Sequence, residues 1–400
     1  MNNQKVPKIR FKGFSGDWEQ RKLGDISTSY SGGTPTAGKD EYYGGIIPFI
    51  RSGEISSDHT ELFLTERGFN SSSAVMVKQG DILYALYGAT SGEVSISKLN
   101  GAINQAILAV LPNDGYDTDF IMQWLRKSKD SIVSTYLQGG QGNLSATIVN
   151  QLHIDLPSYN EQRRIGAFFK VLDNNITLHQ SKLDKLKIIK KSMLENCFPK
   201  NGENVPKFRF SGFTGDWEQR KLGDLCDQLT IMINPQATPN KHYLEYSMPA
   251  YDAQKKPDYV MGSTMNSARK VIDRPCLLIN KLNVRKKRIW YIENPGENAV
   301  CSAEFIPIYS ESVNLTFLAY AVTDNSFTAY LEDCSSGSSN SQKRVMPETI
   351  MNANIDVPSP AEQKEIGSFF FKLDRAIALH QSKLDKLKVI KKTLLESMFV

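Results

Sequence analysis

The densest concentration of charge able to grip a phosphodiester lies at 269–288, where Arg269, Lys270, Arg274, Lys281, Arg285, Lys286, Lys287 and Arg288 accompany one acidic residue, Asp273. Such a run would neutralise phosphates and release their counterions, the sequence-independent part of nucleic-acid affinity. A solvated, charged hairpin is the other reading. Distinguishing one base from another takes different groups: donors, acceptors and bendable backbone held in loops. "IRSGE" (50–54) offers Arg51 and Ser52, "YGATSGE" (87–93) offers Tyr87 and Ser91, and "GGQGN" (139–143) offers Gln141 and Asn143. Lys39 and Gln105 complete the candidate DNA-contacting set of the first half, and Asn340, Gln342, Lys343 and Arg344, within "SSGSSNSQKR" (335–344), that of the second. "GGQGN" reads equally well as a helix C-cap.

Bond-making chemistry is looked for and not found. "GGTPTAGKD" (32–40) contains G-x-x-x-x-G-K, but Asp40 stands where a phosphate-binding loop needs a magnesium-binding hydroxyl, and no strand leads into it. No G-x-G-x-x-G follows a strand, and "NPQ" and "NPG" do not resemble the Asn/Asp-Pro-Pro-aromatic tetrad that amino-methyltransferases use to hold a flipped base. "EQK" (362–364) superficially suits a nuclease, yet it becomes "EQR" at 161–163. The five cysteines are far apart and form no C-x-x-C, so neither a disulfide framework nor a zinc cluster is expected. The expectation is a chain with no catalytic residue, no metal and no cofactor of its own.

With 400 residues, 40% hydrophobic and 23% charged, there is enough chain for two or three domains with real cores, which excludes a wholly disordered protein. No stretch approaches the roughly 20 apolar residues of a membrane span, and "MNNQKVPKIR" lacks a signal peptide's apolar core, so a cytoplasmic location is expected. The net charge is +5, but residues 27–154 hold 8 Lys+Arg against 12 Asp+Glu, and residues 226–355 hold 13 of each. The positive excess lies outside these two segments, so charge alone does not single them out.

What must position the candidate residues is a duplicated frame. "PKIRFKGFSGDWEQRKLGD" (7–25) returns as "PKFRFSGFTGDWEQRKLGD" (206–224), with 16 of 19 positions identical. Residues 155–198 return at 356–399 with 28 of 44 identical, including an unbroken "LHQSKLDKLK". The expected organisation is a first short repeat (1–26), a variable domain (27–154), a central long helix (155–198), a linker with the second short repeat (199–225), a second variable domain (226–355) and a C-terminal long helix (356–400).

Each long repeat announces a helix. Ser158 and Glu161 are spaced as a capping box, as are Ser359 and Glu362, and Pro360 takes the first helical position, which tolerates proline. An apolar stripe follows at spacings of three and four: Ile165, Phe169, Leu172, Ile176, His179, Leu183, Leu186, Ile189 and Met193. Its copy is Ile366, Phe370, Leu373, Ile377, His380, Leu384, Leu387, Ile390 and Leu394. A narrow stripe held this long is a coiled-coil seam, and two such helices are natural partners. His179 and His380 read as register or interface residues, since no carboxylate or thiol cluster accompanies them. The lysines around 182–191 read as solvated face, with phosphate contact as the alternative.

The variable segments share a plan but little sequence. The first has strand-like runs at 46–50, 81–87, 92–97 and 102–111, a helical stretch at 117–137, and a closing strand "LHIDLP". The second has strand-like runs at 247–251, 276–282, 288–292 and 299–309, a helical stretch at 315–333, and a closing "NIDVP". The fold class expected is α+β, with two mixed α/β domains on two long coiled-coil helices related by a pseudo-two-fold repeat. Divergence confined to the middle is what two specificities on one frame would look like.

Taken in order, the doubled "GDWEQRKLGD", "GGTPT" followed by "YYGGIIPFIRSGEI", "GDILYALYGATSG" leading to "NQAILAVLP", and "PSYNEQRRIGAFFKVLD" with its copy "PSPAEQKEIGSFFFKLD" resemble the specificity subunit of type I restriction-modification systems. The resemblance covers nearly the whole chain and departs most at 226–300, where "GGTP" and "GDIL" have no counterpart. It implies α+β architecture with two target-recognition domains separated by two long antiparallel coiled-coil helices, each domain reading half of a split, asymmetric site in double-stranded DNA. With the domains hung on the duplicated helices, helix length is expected to set the spacer. It further implies docking of two methyltransferase subunits and, through them, two motor-nuclease subunits, which would supply S-adenosylmethionine binding, ATP and magnesium chemistry and cleavage. A coiled-coil scaffold would give no reason for two divergent domains on near-identical mounts. A self-sufficient restriction or modification enzyme would need the motifs found missing.

Overall fold

The computed structural model describes residues 5–137, 143–200, 202–337 and 342–400. It divides into two compact units, Met1–Gln180 with Ser382–Val400, and Ser181–Gln381. Two long helices, Tyr159–Asn196 and Pro360–Met398, each begin in one unit and end in the other. Within the first unit, Ile165 and Phe169 from the start of one helix share a core with Leu395 and Met398 from the end of the other. Within the second, Ile366 and Phe370 meet Cys197 and Phe198, so in each unit the helices pair antiparallel. Leu183, Leu373 and Leu384 are buried, while Leu172, Ile176, Leu186, Ile377, Leu387 and both histidines are half-buried. The stripe is interrupted at Ile189 and Ile390, which are 47% exposed, and resumes at Met193 and Leu394, half-buried against the second and the first core. The alternation of four and three places Lys190 and Lys391 at the interrupted step instead; Lys391 is buried, and each lysine reaches an aspartate of the other helix.

Pro360 opens the second helix as its spacing predicts, but the capping-box reading of the glutamates needs correction. Glu161 is 1% exposed and takes Arg10 Nε and Nη2 at 2.7 Å each. Glu362 takes Arg209 Nε at 2.8 Å and Nη2 at 2.7 Å in the same fork, while Ser359 Oγ accepts from the Glu362 N–H at 3.4 Å. A guanidinium offers two parallel donors that a cap N–H cannot match. The next residue clamps as well. Gln162 donates to Pro157 O and accepts from Asp117 N, and Gln363 donates to Pro358 O and accepts from Asn314 N. The short repeats are woven into the same joints, with Glu19–Lys22 antiparallel to His153–Leu156 and Glu218–Lys221 antiparallel to Asn354–Val357.

Each variable segment folds into two small sheets. In the first unit one sheet runs Ser27–Ser31, Ile107–Pro112, Ile82–Ala85, Val94–Ile96, and the other Phe63–Leu64, Tyr43–Ile50, Gly101–Ile103, Val75–Val77. In the second unit they run Asp227–Gln228, Phe305–Tyr309, Cys276–Asn280, Ile289–Ile292, and Met232–Ile233, Arg269–Val271, Ala299–Cys301, His242–Tyr246, Asp258–Met261. The apolar runs 102–111 and 299–309 are therefore not single strands. Each breaks in a short turn and crosses from one sheet to the other, the first at Asn104, whose side chain accepts from Ala106 N. The expected strand at 247–251 is instead a helix, Met248–Asp252, because Ser247 caps it and Pro249 sits in its first turn. Helix Thr118–Tyr136 matches expectation, whereas 315–333 divides into Leu315–Ala321 and Asn325–Asp333, where Asp324 caps a fresh start.

Phe399 packs against Trp18, Phe120 and Phe169 with ring centroids 5.0–6.3 Å away, and Phe198 does the same with Trp217, Phe317 and Phe370 at 5.9–6.1 Å. Phe399→Ala should cost the first unit about 3–5 kcal/mol. Urea unfolding should then show an early transition that wild type lacks, and Phe198→Ala should move the other unit instead.

Candidate nucleic-acid interface

The turn that joins the two sheets is where the first domain gathers its polar side chains. Leu86 N donates to Ala106 O and Leu144 N to Leu86 O, both at 2.8 Å, and Tyr87 forms a β-bridge with Asn143. Gln105 is exposed at the tip and bonds the Thr34 hydroxyl. Thr34 reaches it because "GG" lets the backbone lie flat. A Cβ on Gly32 would stand 1.9 Å from Ile103 O, and one on Gly33 2.1 Å from Ser73 Oγ. The glycines of "GGTPTAGKD" at 32 and 33 thus serve close packing, not phosphate binding. Thr34, Tyr87, Gln105 and Asn143 share one edge, and Ser91 lies in the turn after Tyr87, its hydroxyl on Gly88 O at 3.0 Å. Burial raises the Tyr87 phenol and outweighs its hydrogen bond with Gln105, which acts the other way.

The second domain repeats the construction with other residues. Lys281 N donates to Glu304 O at 2.9 Å, Val345 N to Lys281 O at 3.1 Å, and Leu282 bridges Arg344. Arg344 forks onto Glu304 at 2.9 and 3.2 Å, and Asn283, at φ 54°, donates its N–H to Lys343 O. Lys281, Gln342, Lys343 and Arg344 therefore cluster where the first domain presents Tyr87, Gln105 and Asn143. Sequence reasoning missed Thr34, Asn283 and Glu304. The available signal was the polar "NQ" that interrupts "AINQAILAVL". Gln141 and Asn340 lie outside the described residues.

Other candidates are committed elsewhere. Lys39 lies over the Tyr42 ring at 5.2 Å, and Ser52 begins the short helical turn Ser52–Glu54. Arg51 forks onto Glu54 and also reaches Glu61 at 2.7 Å. Burial alone would raise the Glu54 carboxyl, but hydrogen bonds from Arg51, the Glu61 N–H and Thr60 overcome it and hold it at about 2.

The basic run 269–288 is not one charged face. Arg269 meets Glu245 at 2.6 Å with both side chains 12% exposed, and Arg288 forks onto Asp252 at 2.7 and 2.9 Å. Lys287 donates to Thr323 O at 2.7 Å and Asn325 Oδ1 at 2.8 Å, capping one helix and meeting the next. Lys270 is half-buried, and burial lowers its pKa. Arg274 stacks on Tyr309 at 4.7 Å beside Asp273. Arg285, 3.2 Å from Glu332, and Lys286 remain exposed, with Lys281 half-buried just past the end of the strand before them.

Among the described residues, no group of three or more His, Cys, Asp or Glu is placed to hold a metal, and no helix is long and apolar enough to cross a membrane. Burial pushes the Cys197 thiol up to about 11 and Cys226 up to about 12, away from nucleophilic use.

A family model of the type I restriction modification DNA specificity domain matches residues 15–188 and 214–389, once in each half of the duplication. The chain belongs to this specificity-domain family. Its relatives include the type I restriction enzyme MjaIX specificity subunit of Methanocaldococcus jannaschii, 27% identical over 226 residues, which are 52% of this chain and 51% of that one. The EcoR124I/EcoR124II specificity subunit of Escherichia coli is 27% identical over 174 residues, 40% of this chain and 43% of that one. The chain thus spans about half the length of the curated relatives it matches. Among solved structures, the type I restriction-modification S subunit from M. genitalium shares the fold, with a TM-score of 0.68, 15% identity and 99% of both chains covered.

The double variant Arg285→Ala/Lys286→Ala should leave the melting temperature of this specificity-domain protein unchanged. It should flatten the salt dependence of DNA binding by about 0.9 for each phosphate no longer neutralised. Arg288→Ala should instead lower the melting temperature, since the Arg288 side chain is buried and its packing and fork onto Asp252 are both lost. The Arg51–Glu54 clamp stabilises fully above the ordinary glutamate pKa of ~4.3. Its contribution should fade only as pH falls toward the folded value of about 2, which an NMR titration of Glu54 would follow.

Proposed function

We propose that this chain is the DNA-specificity subunit of a type I restriction-modification complex and that each recognition domain reads one half of a bipartite, asymmetric site. The observation that carries this reading is the pair of equivalent inter-sheet junctions. One frame, written twice, presents Tyr87, Gln105 and Asn143 at the first junction and Lys281, Lys343 and Arg344 at the second. Glutamine and asparagine match the edge of adenine and arginine that of guanine, so the two domains should read different bases.

The chain itself catalyses nothing in this reading. Two methyltransferase subunits would bring S-adenosylmethionine, and two motor-nuclease subunits, held through them, would bring ATP and magnesium, all in the cytoplasm. The long helices would dock the methyltransferases and set the spacer. Because Ile165, Phe169, Ile366 and Phe370 are buried within their units, docking would use outward residues such as Val171, Leu178, Val389 and Ile390.

Replacing residues 27–154 with the same segment of a related subunit, then mapping methylated positions in a genome that also carries the methyltransferase, should change one half of the site and leave the other intact. A change in both halves, or methylation by the purified chain with S-adenosylmethionine and no partner, would overturn the reading.

A further inference from the structure

The two long helices carry the same aspartate, Asp173 and Asp374, 201 residues apart in the repeat. In the first unit Asp173 Oδ2 accepts from Gln123 Nε2 at 2.6 Å and Arg126 Nη1 at 2.8 Å, both on the recognition-domain helix Thr118–Tyr136. Its Oδ1 accepts from Lys391 Nζ at 2.5 Å, on the other long helix. In the second unit Asp374 Oδ2 accepts from Tyr320 OH at 2.8 Å, on the recognition-domain helix Leu315–Ala321, and Oδ1 from Lys190 Nζ at 2.5 Å. Each carboxylate therefore ties three elements together: a recognition domain and both long helices. Lys190 and Lys391 are themselves repeat equivalents.

Gln123 and Tyr320 hold the same place in divergent segments, each three residues after a buried phenylalanine, Phe120 or Phe317, whose N–H is capped by Asp117 or Asn314. Two domains that share almost no sequence have both kept a donor at that position, by different chemistry. Desolvation works against the Asp173 charge, yet Arg126 and Lys391 hold its carboxyl below the ordinary range, so it stays ionised and fully accepting.

We infer that Asp173 and Asp374 are positioning residues that fix the pose of each recognition domain on the helix pair and, through it, the spacer length the protein accepts. The inference rests on the proposed function. Apolar contact between helices is non-directional and permits small rolls and slides, whereas charge-assisted hydrogen bonds specify direction. A tilt of about 10° carried across a domain about 30 Å wide moves its far edge by about 5 Å, more than the ~3.4 Å step between base pairs. Small freedom at this joint would therefore admit a neighbouring spacer.

The test is a library of bipartite sites with the native spacer and spacers one base pair longer or shorter, methylated by the assembled methyltransferase complex. With Asp173→Asn or Asp374→Asn, preference for the native spacer should fall about tenfold, equivalent to about 1.4 kcal/mol, with both half-site sequences unchanged. Tyr320→Gln, which installs the donor type of the first unit, should keep the preference, and Tyr320→Phe should lose it. Unchanged preference, or an equal loss at every spacer with a lowered melting temperature, would reduce the aspartates to ordinary structural residues and overturn the inference. If the wild-type complex methylates no bipartite site, the proposed function itself fails. The joint is then read on the full chain alone, with spin labels at Asp130→Cys and Glu396→Cys in a Cys334→Ser background. Asp173→Asn should broaden the interspin distance, and an unchanged distribution would again overturn the inference.

Discussion

A buried carboxylate met by a guanidinium fork anchors each unit. Glu161 and Glu362 lie almost wholly out of solvent, where a lone charge would be costly, and each is answered by two parallel N–H donors from Arg10 or Arg209. The same guanidiniums donate to the carbonyls of Ser15 and Gly16, or of Thr214 and Gly215, which shapes the loop before the tryptophan. From that point the order of the structure propagates. The neighbouring glutamine grips the first turn of the recognition-domain helix, the short repeat pairs with the strand entering the long helix, and the aromatic cluster closes beneath them. None of these contacts belongs to the divergent sheets, which accounts for how a domain can change its surface without losing its mount.

The divergent parts are constrained more by topology than by residue identity. Both domains place a strand-to-strand crossing, a β-bridge and a closing loop at the same point, and both bring a polar cluster there. In the first the cluster is neutral, with amides, a hydroxyl and a phenol. In the second it is charged and internally paired, Arg344 being held by Glu304. A paired arginine is presented in a fixed direction, and direction is what bidentate recognition of a base edge requires.

The helices, their pairing with each other and the duplication were legible because periodicity and self-similarity are written in consecutive residues, whereas the antiparallel direction came only with the family resemblance. The junction was half legible. Tyr87, Gln105, Asn143 and Arg344 could be named as loop residues, but nothing local showed that they meet. The continuous apolar run 102–111 concealed a sheet crossing, since both halves are buried and only "NQ" marks the turn. The basic run misled for a related reason. Glu245 and Asp252, which draw Arg269 and Arg288 inside, stand 24 and 36 residues away in sequence, so their effect on local charge is invisible until the chain is folded. Glu161 was legible as a helix-start residue, yet its partner, 151 residues distant, decided its role.

The first unit takes its core from both Met1–Gln180 and Ser382–Val400, whereas the second is one continuous stretch of chain. Chains emerge from the ribosome in order, and domains generally fold as they emerge. Here that order is inverted: the stretch made second has all its own parts when its last residue appears, while the stretch made first must wait for Leu395, Met398 and Phe399 to close its core. During synthesis Trp18, Phe120 and Phe169 lack their cover, so the nascent protein passes through a period in which its first half needs protection from aggregation and its second half does not.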